Sequence, residues 1–229
     1  MRELSVDHIV VGFFAANCWI YPLDDESIPA GFTLPPGFRS CALIDPGAEA
    51  ESILDRLNTL KLFPVYILLT HGHFDHIGAL PGIVSANPKA IAAIHTADSQ
   101  YLGPDSLQAH RLSFTAVTGD SDSFDFIWEG MPPPNVTLTE GDTIGPFTIL
   151  HVPGHTLGSI ALWDKKAKLM FSGDTLFRAN YGRTDLPGGS ESMLFESLQR
   201  LFAMDSEIKV YPGHGPITTI GEEARRGMI

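Results

Sequence analysis

Short apolar runs recur along the chain, and each closes on a turn rich in Gly, Pro, Asn or Asp, which is the signature of short strands. Ile9-Val10-Val11-Gly12-Phe13-Phe14 and Cys18-Trp19-Ile20-Tyr21 predict two strands around an Ala-Ala-Asn turn. Residues 24–39 are rich in Pro, Gly and acids and read as a long exposed hairpin loop before a strand at Ala42-Leu43-Ile44. Ile53, Leu54, Leu57 and Leu60 fall at helical spacing, so residues 49–60 predict an amphipathic helix with acids in its first turn. A strand follows at Val65-Tyr66-Ile67-Leu68-Leu69. Next come a helix over residues 77–86, interrupted near Pro81-Gly82, and a strand over 90–94.

The pattern weakens between residues 97 and 134, where helical turns give way to Asp120, Asp122, Asp125 and Glu129 and then to Pro132-Pro133-Pro134. A lid, an oligomer contact and a decorated connector all fit this stretch. Strands resume at Val136-Thr137-Leu138 and at Phe147 through Val152, and Ile160-Ala161-Leu162-Trp163 pairs with Leu169-Met170-Phe171 across an Asp-Lys-Lys turn. Leu194, Phe195, Leu198, Leu201 and Phe202 share one face of a helix over 192–202, and Val210-Tyr211 is the final short strand. Strand runs punctuated by helices therefore occur once before about residue 95 and again after about residue 136. Two such halves predict an α+β domain spanning 1–229, with two sheets face to face and helices outside.

Composition narrows the partners. The 229 residues carry a net charge of −12, which disfavours a nucleic-acid partner needing a basic footprint. Cys18 and Cys41 are too few for a disulfide framework, although one bridge stays open, and reduced thiols in a cytoplasmic protein are expected. Residues 1–8 carry acids where a secretory leader needs an apolar core, and no apolar run approaches a membrane span. Oligomeric state is not legible.

Chemistry concentrates in Thr70-His71-Gly72-His73-Phe74-Asp75-His76, where three imidazoles and a carboxylate follow a strand. Such ligands suit zinc, iron or manganese, and Gly72 lets the backbone turn between His71 and His73. A polar loop that happens to be rich in histidine is the plainer alternative. His155, Asp174 and His214 repeat the design, each on a Gly-containing turn after a strand. Five histidines and two aspartates exceed one tetrahedral site and suit two ions. His8, His95, His110 and His151 read as packed or surface residues. Asp45 reads as a cap on the Pro46-Gly47 turn, with support of a metal ligand as its alternative. The clusters Phe13-Phe14, Phe124-Asp125-Phe126 and Trp128 read as core or lid packing, whereas Phe177 and Tyr181 are better placed to line a pocket.

The motifs His71-x-His73-x-Asp75-His76, Gly154-His155-Thr156, Gly173-Asp174-Thr175 and Gly213-His214-Gly215 resemble the metallo-β-lactamase superfamily. More narrowly, GDTLFRANYGRTDLPGG from Gly173 and YPGHGPITTIGEE from Tyr211 are similar to short bacterial hydroxyacylglutathione hydrolases of the glyoxalase II-like group. The resemblance implies a four-layer αβ/βα sandwich holding two divalent ions, zinc in the first instance and iron or manganese otherwise. It assigns His71, His73 and His155 to the first ion, Asp75, His76 and His214 to the second, and Asp174 to the bridge. A hydroxide between the ions, oriented by Asp75, would attack an S-acylglutathione-type thioester, whose thiolate leaves without prior protonation. A mononuclear iron persulfide dioxygenase and a lactonase are the alternatives on the same fold. Two departures stand out. Larger members have a C-terminal helical domain that grips glutathione, whereas this chain ends soon after His214. Their glutathione-contacting lysine is matched by Arg183, and the tyrosine two positions on by Asp185. Arg183 thus either meets a substrate carboxylate or pairs with Asp185.

Overall fold

The strands alternate their side chains between two apolar environments, and that alternation stacks the molecule into layers. The computed structural model describes residues 5–120, 123–126, 128 and 130–227; Asp122 and Glu129 lie outside them. Among the described residues, one six-stranded sheet has the order β1 (Asp7–Val11), β2 (Ala16–Pro22), β3 (Arg39–Ile44), β4 (Leu62–Leu68), β5 (Ile91–His95), β6 (Val136–Leu138). The strands β7 (Thr143–Ile144), β8 (Phe147–His151), β9 (Ile160–Asp164) and β10 (Leu169–Gly173) belong to a second six-stranded sheet. A separate hairpin of β11 (Leu176–Phe177) and β12 (Asn180–Tyr181) follows, and β13 (Lys209–Pro212) and β14 (Thr218–Thr219) complete the second sheet in the order β14-β13-β10-β9-β8-β7.

In β2, Trp19 faces the space between the sheets while Cys18 and Ile20 face outward; in β3, Ala42 and Ile44 alternate with Cys41 and Leu43 in the same way. The outward face of the first sheet packs on α1 (Ala50–Leu60), α2 (Phe74–Ile77) and α3 (Leu80–Ala86) through Ile53, Leu57, Ile77, Leu80 and Ile83. Two further helices extend the chain, α4 (Leu107–Thr118) and α5 (Glu191–Phe202). With α6 (Ile220–Arg226), α5 covers the outer face of the second sheet, burying Leu194, Leu198, Leu201 and Ile220 against Ala161 and Met170. Each such fully buried leucine or isoleucine contributes about 1.5–3 kcal/mol. The result is the expected four-layer αβ/βα sandwich.

Several local expectations are corrected. Phe13 and Phe14 are not in a strand: β1 ends at Val11, and both rings project from the following turn, 96% and 47% exposed. β-propensity misleads there because Gly12 and Ala15 take positive φ (70° and 55°), which reverses the chain. The helix break falls before Pro81 rather than at it, since proline fits the first turn of α3. Val136–Leu138 pairs with β5 in the first sheet, so the chain crosses between sheets after residue 138. Val210-Tyr211 is not final, because β14 pairs with β13 and α6 follows. The stretch after residue 97 forms 3-10 turns at Thr96–Tyr101 and Ser123–Phe126 with α4 between them.

Candidate metal centre

The loops that leave β4, β8, β10 and β13 meet at one rim of the sandwich. Loops at the edge of a rigid sheet pair can converge from distant points in sequence. His71, His73 and His155 form one trio and Asp75, His76 and His214 another, with the donor atoms of each trio within 4.8 Å of one another. Asp174 lies between them. Its Oδ1 is 3.4 Å from His76 Nε2, and its Oδ2 is 3.7 Å from His155 Nε2 and 3.5 Å from His214 Nε2. All seven residues singled out from sequence therefore come together.

The rings are aimed by their far sides. His155 Nδ1 donates to the Arg183 carbonyl at 2.7 Å, which leaves Nε2 as a lone pair facing the centre. His76 Nδ1 lies 3.2 Å from Asp45 Oδ2, and Thr70 Oγ1 donates to the same oxygen at 2.7 Å while lying 3.1 Å from His71 Nδ1. Asp45 also accepts from Thr70 N at 2.8 Å. This corrects its reading as a turn cap: the carboxylate is buried and holds two imidazoles in place. Sequence offered only a weak signal for it, an acid directly after a strand.

Electrostatics fit cation binding. Burial, followed by the neighbouring histidines, holds His71 well below its ordinary pKa; burial and then His155 bring His73 down to about 3. Both rings thus keep free lone pairs at neutral pH. Burial would raise Asp174, but His76, then His155 and His71, hold it well below the usual carboxylate range. Burial also opposes charge on His76, yet Asp174 and Asp75 outweigh it and raise its pKa. Among the described residues, His71 Nε2 and Asp174 Oδ1 are buried without a hydrogen-bond partner, which an apolar wall would not tolerate and a coordinated cation would satisfy.

Close packing is built in through glycine. Gly72 serves closeness rather than the turn expected of it: a Cβ there would stand 2.0 Å from the Tyr101 ring. Its N–H donates to Asp98 Oδ2 at 2.9 Å, and Asp98 also accepts from Thr156 Oγ1 at 2.7 Å and Gly158 N at 2.7 Å. A Cβ on Gly213 would meet Asp174 Oδ1 at 2.1 Å.

The predicted substrate residues reach the same cavity, which Arg183, Tyr181 and Phe177 all line. Phe177 stands with its ring 6.0 Å from that of His214, and Tyr181 packs edge-on against Phe195 at 5.6 Å. Arg183 pairs through Nε and Nη2 with both oxygens of Asp185, at 2.7 Å each. Phe13 and Phe14 also line the cavity, a role that sequence reasoning missed by placing them in a strand. The histidines outside the motifs are packed as expected: His95 stacks on His151 at 4.1 Å, His110 is buried, and His8 lies against Trp19.

The sequence profile of the metallo-beta-lactamase superfamily matches residues 39–214. Hydroxyacylglutathione hydrolase GloC of Haemophilus influenzae is 33% identical, over 97% of this chain and 96% of its own. The probable metallo-hydrolase YqgX of Bacillus subtilis is 34% identical over 92% and 90%. Among solved structures, TTHA1623 in a di-iron-bound form superposes with a TM-score of 0.77 at 34% identity, covering 96% of this chain and 97% of that one. The BLEG-1 B3 metallo-beta-lactamase gives 0.78 at 30% identity with the same coverage.

Proposed function

The chain belongs to the metallo-beta-lactamase superfamily of metal-dependent hydrolases, and from that premise we propose a binuclear thioesterase acting on S-acyl thioesters of the hydroxyacylglutathione type. The carrying observation is Asp174, whose two oxygens face both ligand trios. A carboxylate between two cation sites offsets their mutual repulsion. The likeness to GloC supports the substrate class, and the di-iron neighbour leaves iron beside zinc as the metal.

In this reading His71, His73 and His155 would hold one ion and Asp75, His76 and His214 the other, with the Asp174 carboxylate between the two trios. Bound divalent ions supply Lewis acidity, polarising an acyl carbonyl and bringing the pKa of a coordinated water to about 7. Burial would raise the Asp75 carboxyl, but His76 and a hydrogen bond from His214 hold it below its usual value. Asp75 is thus ionised at neutral pH and accepts a hydrogen from the attacking water, turning a lone pair toward the carbonyl. Oxygen bonds to the acyl carbon, the carbon–sulfur bond breaks with its electron pair on sulfur, and the water proton passes to solvent. A thiolate needs no general acid to leave. Free, buried Cys18 and Cys41 fit a reducing compartment, so we place the reaction in the cytoplasm. Among the described residues no helix is long and apolar enough to cross a membrane.

The test is one purified sample analysed for metal per chain and offered S-D-lactoylglutathione, a lactone, a lactam and glutathione persulfide. About two ions per chain and thiol release from the thioester are expected. A single iron with oxygen consumption on the persulfide would overturn the reading.

A further inference from the structure

The cavity above the metal centre holds about 720 Å³, and its wall is unusual in two respects. Much of it is aromatic or aliphatic: Phe13, Phe14, Phe74, Phe114, Val117 and Phe177 all face it. Phe13 is 96% exposed and Phe14 47% exposed, their rings set edge to face at 5.3 Å. Exposed phenylalanines grouped at a cleft mark a surface that meets an apolar ligand. Their turn is also braced. Gly12 N donates to Glu49 Oε1 at 3.0 Å, and Ala15 N to Gly12 O at 3.2 Å. Just beyond, Asn17 N donates to Gly213 O at 2.7 Å and Asn17 Nδ2 to Gly215 O at 2.8 Å, which ties the turn to the loop bearing His214. The backbone that carries the two rings is therefore fixed at the wall of the cavity.

The second respect is charge. Among the described residues lining the cavity, Arg183 is the only lysine or arginine, and both oxygens of Asp185 already occupy its guanidinium. Asp185 takes Nε and Nη2, so a substrate carboxylate would be left the remaining Nη donors and would sit beside Asp185, against like-charge repulsion. Glutathione, with two carboxylates, would find one cation among the described residues of this wall, and that one already shares its charge with Asp185.

We propose that the preferred substrate carries an apolar, uncharged acyl group lying along the Phe13-Phe14 wall, an inference that rests on the thioesterase reading above. Acyl length then adds to the specificity for the thioester. An apolar pocket discriminates by roughly tenfold or more for each methylene group it fully encloses, and by less along an open wall such as this one.

The experiment compares kcat/KM of the metal-loaded enzyme on the S-octanoyl and S-acetyl thioesters of N-acetylcysteamine and on S-D-lactoylglutathione. The wild-type octanoyl-to-acetyl ratio is expected to exceed about tenfold, and octanoyl is expected to exceed lactoylglutathione. In the double variant Phe13→Ser/Phe14→Ser that ratio should collapse toward unity, with melting temperature and metal content confirming the fold. Asp185→Asn, by freeing Arg183, should raise kcat/KM on lactoylglutathione relative to the octanoyl thioester. Calorimetry with the uncleavable octyl thioether of N-acetylcysteamine should show binding with negative heat-capacity change. Wild-type preference for lactoylglutathione, or a ratio unmoved by the double variant, overturns the inference and leaves thioester hydrolysis standing. No thiol release from any thioester overturns both.

Discussion

His73 Nδ1 and His155 Nε2 stand 2.8 Å apart, although 82 residues separate them in sequence. His155 Nδ1 donates to the Arg183 carbonyl, and burial, then His155, brings His73 down to about 3. With the His73 proton on Nε2, both facing nitrogens offer lone pairs to one cation. Removal of metal with a chelator should therefore lower the melting temperature, and restoring zinc or iron should recover it. At a free metal concentration 100 times Kd the gain per site is about 2.7 kcal/mol. His155→Ala should lose metal from the first trio, read as a fall toward one ion per chain by elemental analysis.

Gly213→Ala tests how closely the centre is packed. The added methyl would meet Asp174 Oδ1 at 2.1 Å and His76 Cε1 at 2.7 Å, so one of them must move. Overpacking of this kind costs about 1–3 kcal/mol. Calorimetry of the metal-free variant should show that loss, and metal analysis a weaker retention of both ions.

Acid should weaken the fold through His110. Burial, only partly opposed by its hydrogen bond to the Tyr101 carbonyl, brings this imidazole down to about 4 from an ordinary value near 6.5. Between those values the unfolded chain binds the proton and the folded one does not. The stabilisation is thus complete above about pH 6.5 and lost as pH falls toward 4, on the order of 3 kcal/mol at most. Urea midpoints of wild type and His110→Phe, taken with chelator from pH 7.5 to 4, should diverge in slope across that window.

Glu223 fixes the hairpin that carries Phe177 and Tyr181. Fully buried, it accepts from Ala179 N at 2.8 Å and from Thr218 Oγ1, and it pairs with Arg226 at 3.0 Å. Glu223→Ala removes the carboxylate that accepts from the part-buried Ala179 N–H and the buried Thr218 hydroxyl, a loss of about 1–3 kcal/mol. Thermal melts should show this, with KM rising more than kcat falls, and Glu223→Gln should recover most of both.

The ligand set was legible because its members sit in short motifs at strand ends, where Gly154, Gly173 and Gly213 mark the turns. The layers were legible because β2 and β3 alternate faithfully between two apolar faces. Val136–Leu138 went to the wrong sheet because pairing with β5 is a long-range choice that three residues do not encode. Asp45, Asp98 and Glu223 left little trace, since a buried acid is identified by the donors around it and those come from remote loops. Phe13 and Phe14 were misread for the opposite reason: their local preference for strand is real, and the turn overrides it.

Asp98 grips one loop from each sheet through Gly72, Thr156 and Gly158. Neither loop can swing open alone without stranding the shared acceptor, so the ligands assemble and disperse together. Deuterium uptake at the amides of Gly72 and Gly158 should then follow one common rate, and that rate should be the one at which the whole sandwich comes apart.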